Sequence, residues 1–212
     1  MPPETRRPYR SPLRADQARA TRRAVVGAAR DLFIELGWSG TTIDAVAARA
    51  GVSRKTVFSS VGGKAALLKL ALDWALVGDD EPVPLAERQV IAELEQLTDP
   101  RELVARWARF VAELVERAAP LAAVLFVAAD ADQESAAVHA TSERNRLAGA
   151  EFIAARLAAT GGLRPGLTTE RATAAALVLM DPAVHRTLVR EHGWTRDEYA
   201  DWIERAALAE LC

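Results

Sequence analysis

From Val25 onward, apolar residues return every three or four positions, and nowhere do they alternate over a strand's length. A three-to-four spacing lays one apolar stripe along a helix, whereas a half-buried strand needs a period of two. The chain is therefore expected to be all-α. Val25, Ala28, Ala29, Leu32, Phe33 and Leu36 make the first stripe, from about Ala20 until Gly37 stops it. Thr41 and Thr42 are N-cap types for a second helix carrying Ile43, Val46, Ala47 and Ala50, which Gly51 breaks. Ser53 opens a short helix to about Val61, Gly62 and Gly63 close it, and a fourth helix covers 64–77.

Asp79, Asp80, Glu81, Pro82 and Pro84 then form an acidic, proline-containing break, where a domain boundary is expected. Further helices are expected over 85–97 and, after the Asp99–Pro100 cap signal, over 100–119. Pro120 is expected to start a separate helix to about 129, followed by 134–159 and 169–180. Asp181–Pro182 repeats the cap signal for a helix to His192, with Gly193 behind it, and a Thr195/Glu198 capping box opens the last one. At the other end, Pro2, Pro3, Pro8 and Pro12 lie among Arg6, Arg7, Arg10 and Arg14. Residues 1–18 are accordingly expected to be a flexible basic arm, either a plain tail or a source of extra phosphate contacts. The expected division is 1–18, 19–78 and 79–212.

Net charge is −2 over 212 residues, but residues 1–70 carry +8 and residues 71–212 carry −10, with no lysine in the latter. The first third suits a polyanion and the remainder would be repelled by one. The longest apolar runs, such as 121–129, are too short to span a bilayer. The N-terminus has charge but no apolar stretch behind it, so no secretory signal is expected. A single cysteine, Cys212, excludes an internal disulfide or a CxxC site, in keeping with a cytoplasmic protein.

The stretch 42–61, helix, glycine, helix, lies inside the basic third. Gly51 sits where a tight turn between crossed helices asks for positive φ. Val46, Ala50, Val52, Val57 and Val61 can fix the interhelical angle, and Ala47 permits close approach. This is a helix-turn-helix pattern. At 100° per residue, Val57 and Val61 mark the buried side of the second helix, so Lys55 and Ser59 point away and Thr56 and Phe58 flank them. A seven-residue helix is about 10 Å long and fits a major groove about 12 Å wide. Arg54 can pair with a guanine edge and Lys55 adds a single charged contact. Thr42, Thr56 and Ser60 can donate to phosphates, and Lys64 adds charge at a helix start.

Residues 28–58, AARDLFIELGWSGTTIDAVAARAGVSRKTVF, with Lys64-Ala-Ala-Leu-Leu after them, resemble the DNA-binding domain of the TetR family of bacterial transcriptional regulators. The likeness is dense from about 19 to 77 and returns between Asp181 and Trp194. It implies an N-terminal helix-turn-helix domain with a larger C-terminal domain for ligand binding and dimerisation. It also implies a homodimeric repressor, bound to a palindromic double-stranded operator and released by a small-molecule effector. By this resemblance Arg54, Lys55 and Phe58 approach bases, and Thr42, Thr56, Ser60 and Lys64 approach phosphates, with Ser59 on the same face. Three positions depart from the family pattern: Phe58 replaces a tyrosine, Ser59-Ser60-Val61 replaces a more aromatic run, and Gly62-Gly63 loosens the hinge.

In the acidic part, the alanine-rich 134–159 helix and the last helix, with Tyr199, Trp202, Ile203 and Ala206, offer two stripes. They face either the monomer core or a four-helix dimer interface, and the resemblance favours the latter. Trp74, Trp107, Phe110, Leu114, Phe126, Phe152 and Met180 are either core or the lining of a pocket for an apolar or aromatic effector. His139, His185 and His192 lack metal-ligand spacing, and the latter two are expected at the surface. Asp130, Asp132 and Glu134 suit a solvated helix junction better than a metal. The glycines at 161, 162 and 166 lack the GK[ST] of a phosphate loop. No catalytic centre, metal or cofactor is expected.

Overall fold

The structure is a computed structural model and describes residues 12–212. Every regular element among them is helical, and none is long and apolar enough to cross a membrane. By packing, the chain divides into two units between Leu70 and Ala71, inside a helix rather than at the proline-containing break.

The first unit holds α1 (Pro12–Gly40), α2 (Ile43–Ala50), α3 (Arg54–Ser60) and the first half of α4 (Lys64–Val77). α1 begins eight residues before the apolar periodicity does, so residues 12–18 are helical and not part of an arm. Proline suits the first position of a helix, where its missing N–H is not needed. The rest of the expected arm, residues 1–11, lies outside the described residues. Gly37, at φ 67° and ψ −171°, interrupts α1 where the sequence places its end. Val25, Ala29, Leu32, Phe33, Val46, Val57, Leu67 and Leu68 are buried.

In the second unit a 3-10 turn (Leu85–Glu87) precedes α5 (Gln89–Gln96). The expected single helix over 85–97 is broken because Arg88 is extended. Its guanidinium donates to the Val83 carbonyl at 3.0 Å and pairs with Asp79 at 2.6 Å. That partner holds the Asp79 carboxyl below its usual range.

α6 (Pro100–Ala131) is one helix of 32 residues, and Pro120 does not restart it. The carbonyl that Pro120 cannot bond belongs to Glu116, on the exposed side, where water can serve as a partner. Meanwhile the residues on either side of Pro120, Ala118, Ala119 and Leu121, are all buried and hold the helix to the core. α6 is the spine: α5, α7 (Gln133–Ala159), α9 (Pro182–His185) and α10 (Arg196–Leu211) pack on it. α8 (Thr169–Leu179) packs on α7 and α10. Asp132 alone separates α6 from α7, and its carboxylate accepts from both the N–H and the hydroxyl of the buried Ser135 at 2.7 Å. This member of the acidic cluster is the cap of α7. The capping box at Thr195 and Glu198 is formed in full.

The expected 182–192 helix departs from α geometry after His185, where Arg186–Glu191 form a π turn. His192 N–H there reaches the Thr187 carbonyl, five residues back, at 3.1 Å. His185 itself, expected at the surface, is buried edge-on against Tyr199 at 5.2 Å, whereas His192 is exposed. Neither imidazole nitrogen of His185 has a hydrogen-bond partner among the described residues.

Burial pushes the His185 pKa down, the Glu116 carboxylate opposes this, and Arg190 adds to it. The folded state therefore takes up this proton less readily than the unfolded chain. Stability is whole above about pH 6.5, the ordinary imidazole value, and is lost as the pH falls below it. The thermal midpoint is expected to drop as the pH falls below about 6.5, and His185→Phe to flatten that slope. An unchanged slope in the variant would assign the titration elsewhere.

Candidate nucleic-acid interface

The turn between α2 and α3 is built from local rules. Thr42 caps α2 by accepting from the Ala45 N–H at 3.1 Å. Gly51 ends it at φ 66°, ψ 31°. Its N–H reaches the Ala48 carbonyl at 3.2 Å, and the Val52 N–H reaches Ala47 at 3.0 Å. That pair of bonds is the Schellman closure, and its left-handed residue costs glycine little. Ser53 then caps α3, accepting from the Thr56 N–H at 3.1 Å. Val46, Ala47 and Val57 are buried between the helices, with Ala50, Val52 and Val61 half-buried.

This packing leaves one side of α3 outward. Arg54, Lys55, Phe58 and Ser59 are exposed, with Phe58 at 47%, and Thr56 and Ser60 are half-buried. Thr42 is exposed at the start of α2. The hydroxyls of Ser59 and Ser60 turn back to the carbonyls of Thr56 and Val57, each at 3.1 Å, and that of Thr56 meets Ser53 at 2.8 Å. A hydroxyl rotates easily, so these bonds can be exchanged for a phosphate oxygen.

Two contacts were not legible in the sequence. Arg54 Nη1 donates to Asp44 of α2 at 2.8 Å, and its guanidinium lies 5.7 Å from the centre of the Phe58 ring. Lys64 donates its ammonium to the Trp38 carbonyl and sits 4.2 Å from the centre of that indole, which stacks on Phe33 at 6.0 Å. Lys64 thus ties the start of α4 to the segment after Gly37. Lys64→Ala is expected to cost the fold about 1–2 kcal/mol, through the lost cation–π contact and hydrogen bond. Thermal unfolding followed by circular dichroism checks this. An unchanged midpoint would leave Lys64 only its charge.

The seven apolar residues singled out for an effector pocket do not all come together. Trp107, Leu114 and Met180 are buried in the core of the second unit, with Phe110 and Phe152 packed against it. Trp74 is half-buried, and Phe126 is 64% exposed on α6, edge-on to His139 at 5.9 Å. A groove of about 450 Å³ does lie between α5 and α6, lined by Glu93, Gln96, Leu97, Glu102, Ala105, Arg106 and Arg109. Five of its lining residues, Glu93, Gln96, Glu102, Arg106 and Arg109, are polar or charged, and none of the seven apolar candidates lines it. The α10 stripe also divides: Tyr199 and Ile203 are buried in the core, and Trp202 and Ala206 are half-buried.

Residues 25–71 match the family model of bacterial regulatory proteins, tetR family, a span that contains α2, α3 and the turn between them. No curated protein matches the sequence. Among solved structures, the chain is similar to NalD of Pseudomonas aeruginosa, the secondary repressor of the MexAB-OprM multidrug efflux pump. The two share 21% identity over 92% of this chain and 97% of that one, with a TM-score of 0.71. It is similar to the transcriptional regulator FadR of Bacillus subtilis in complex with stearoyl-CoA, at 14% identity, 88% and 97% coverage and a TM-score of 0.69. The TetR-family regulator PfmR of Thermus thermophilus gives 18%, 88%, 97% and 0.63 in the same measures. Residues 25–71 thus resemble the tetR family of bacterial regulatory proteins, and the chain as a whole carries the fold seen in TetR-family transcriptional regulators.

Proposed function

We propose that the protein is a cytoplasmic transcriptional repressor. It holds a palindromic operator as a homodimer, one α3 in each of two successive major grooves, and leaves when a small effector occupies the second unit. The observation that carries this reading is α3 itself. Its Val57 side is buried on α2 while Arg54, Lys55 and Ser59 stand exposed, within a segment that matches a DNA-binding family. Bases are read by Arg54, Lys55 and Phe58, with Ser59 beside them, and phosphates are met by Thr42, Thr56 and Ser60. Lys64 adds its charge nearby.

Pairing through α7 and α8 is supported by their outer faces. Leu147 on α7 is 40% exposed and Val178 on α8 is 60% exposed, among exposed Ala148, Ala155 and Ala174. Small residues allow the close approach that a self-complementary interface needs. α10 is a poorer choice, since Tyr199 and Ile203 are already spent on the core. The repressor role follows the description of NalD, and an apolar effector follows the stearoyl-CoA bound to FadR. Such a ligand would enter among Phe110, Phe152 and Met180, next to the core. No catalysis is proposed.

Transcription in vitro from a promoter carrying the protein's selected site tests this. The protein is expected to lower transcript yield, and an apolar acyl or aromatic compound to restore it. A rise in transcript on adding the protein would make it an activator. Persistent repression across all compound classes would remove the effector.

A further inference from the structure

The basic first unit places an acid on its DNA-facing motif. Asp44 lies in the first turn of α2 and is exposed, yet both of its carboxylate oxygens accept from one nitrogen of Arg54, at 3.1 and 2.8 Å. The same guanidinium also lies 5.7 Å from the centre of the Phe58 ring. Carboxylate and ring together hold a side chain that is otherwise among the freest in a protein. Only Nη1 is used: Nε and Nη2 of Arg54 make no hydrogen bond among the described residues. A guanine edge needs two parallel N–H donors from one guanidinium, and that pair remains available.

We propose that Asp44 is a positioning residue for base recognition, bracing Arg54 against Phe58 so that the arginine meets a guanine edge already ordered. This rests on the reading of α3 as the recognition helix and extends it to a residue that need not touch a base. The carboxylate has a second effect. It repels the phosphate backbone, so it weakens binding to every sequence while strengthening it at a correctly placed guanine. The brace therefore raises discrimination more than affinity.

Two opposed changes follow for Asp44→Ala. Binding to random duplex is expected to strengthen, most at low salt, because one negative charge has left the DNA-facing surface. Binding to the selected site, compared with the same site carrying adenine for guanine, is expected to lose about two- to tenfold of its preference, the cost of ordering a loose arginine on binding. Asp44→Glu should recover part of that preference. An exposed ion pair contributes little to folding, so these variants are expected to fold normally.

The experiment is fluorescence anisotropy of the full chain and of its Asp44→Ala, Arg54→Ala and double variants on three duplexes: selected, guanine-substituted and random. Preference lost in Asp44→Ala, with no further loss on adding it to Arg54→Ala, supports the brace. Asp44→Ala tightening the selected, substituted and random duplexes equally would overturn it and make Asp44 a mere brake. Arg54→Ala leaving the preference for guanine intact would instead overturn the recognition-helix reading beneath it.

Discussion

Arg54→Ala with Lys55→Ala is expected to abolish selective DNA binding while leaving the fold intact. Both side chains are exposed at the start of α3, and neither is part of the apolar core between α2 and α3. A bidentate arginine–guanine contact is worth about 1–3 kcal/mol, so losing it from both heads of a dimer costs about 2–6 kcal/mol. Lysine, as a point charge, adds a contribution that fades with salt. The double variant should bind its selected site little better than random duplex, with an unchanged far-ultraviolet circular dichroism spectrum. Retained selectivity would move base recognition off α3.

Trp107→Ala is expected to destabilise the second unit by about 3–5 kcal/mol, the range for truncating a large buried aromatic. The indole is 1% exposed and belongs to the core cluster formed with Leu103, Val111, Ile153 and Ile203. Such a loss is a large part of the total stability of a domain this size. The measurement is denaturant unfolding of the variant against the parent. It also separates the two roles open to Trp107 at the level of sequence. A side chain that fills core leaves a costly void, whereas one that borders a ligand space can be cut back cheaply. A loss below about 1 kcal/mol would indicate the second.

What was legible follows from where the information lies. Gly51, Thr42, Ser53, Asp99 and Thr195 act within a turn of their own position, and the structure puts each in its expected place. Pro120 misled because its local rule competes with the burial of Ala118, Ala119 and Leu121, on either side of it in an unbroken α6. Arg88 broke a helix through partners at Asp79 and Val83, a tertiary contact that no periodicity carries. His185 was misjudged because Tyr199, fourteen residues away in another helix, covers it, a contact that local spacing does not carry.

The site divides in the same way. The outward face of α3 was readable from Val57 and Val61 alone. The partners of its charges were not. Asp44 is ten residues from Arg54 and Trp38 is twenty-six from Lys64, and only the folded turn brings them together. Tyr199 and Ile203 show the limit for interfaces: an apolar stripe announces burial but not against what.

The central claim is that this chain reads DNA sequence through α3. Selection of binding sites from a random duplex library by the purified protein, at physiological salt, tests it most directly. The account predicts a palindrome with guanine at a fixed place in each half-site and half-site centres about one helical turn apart or slightly more. Weak, salt-sensitive binding without sequence preference would contradict it, reducing the first unit to a basic surface.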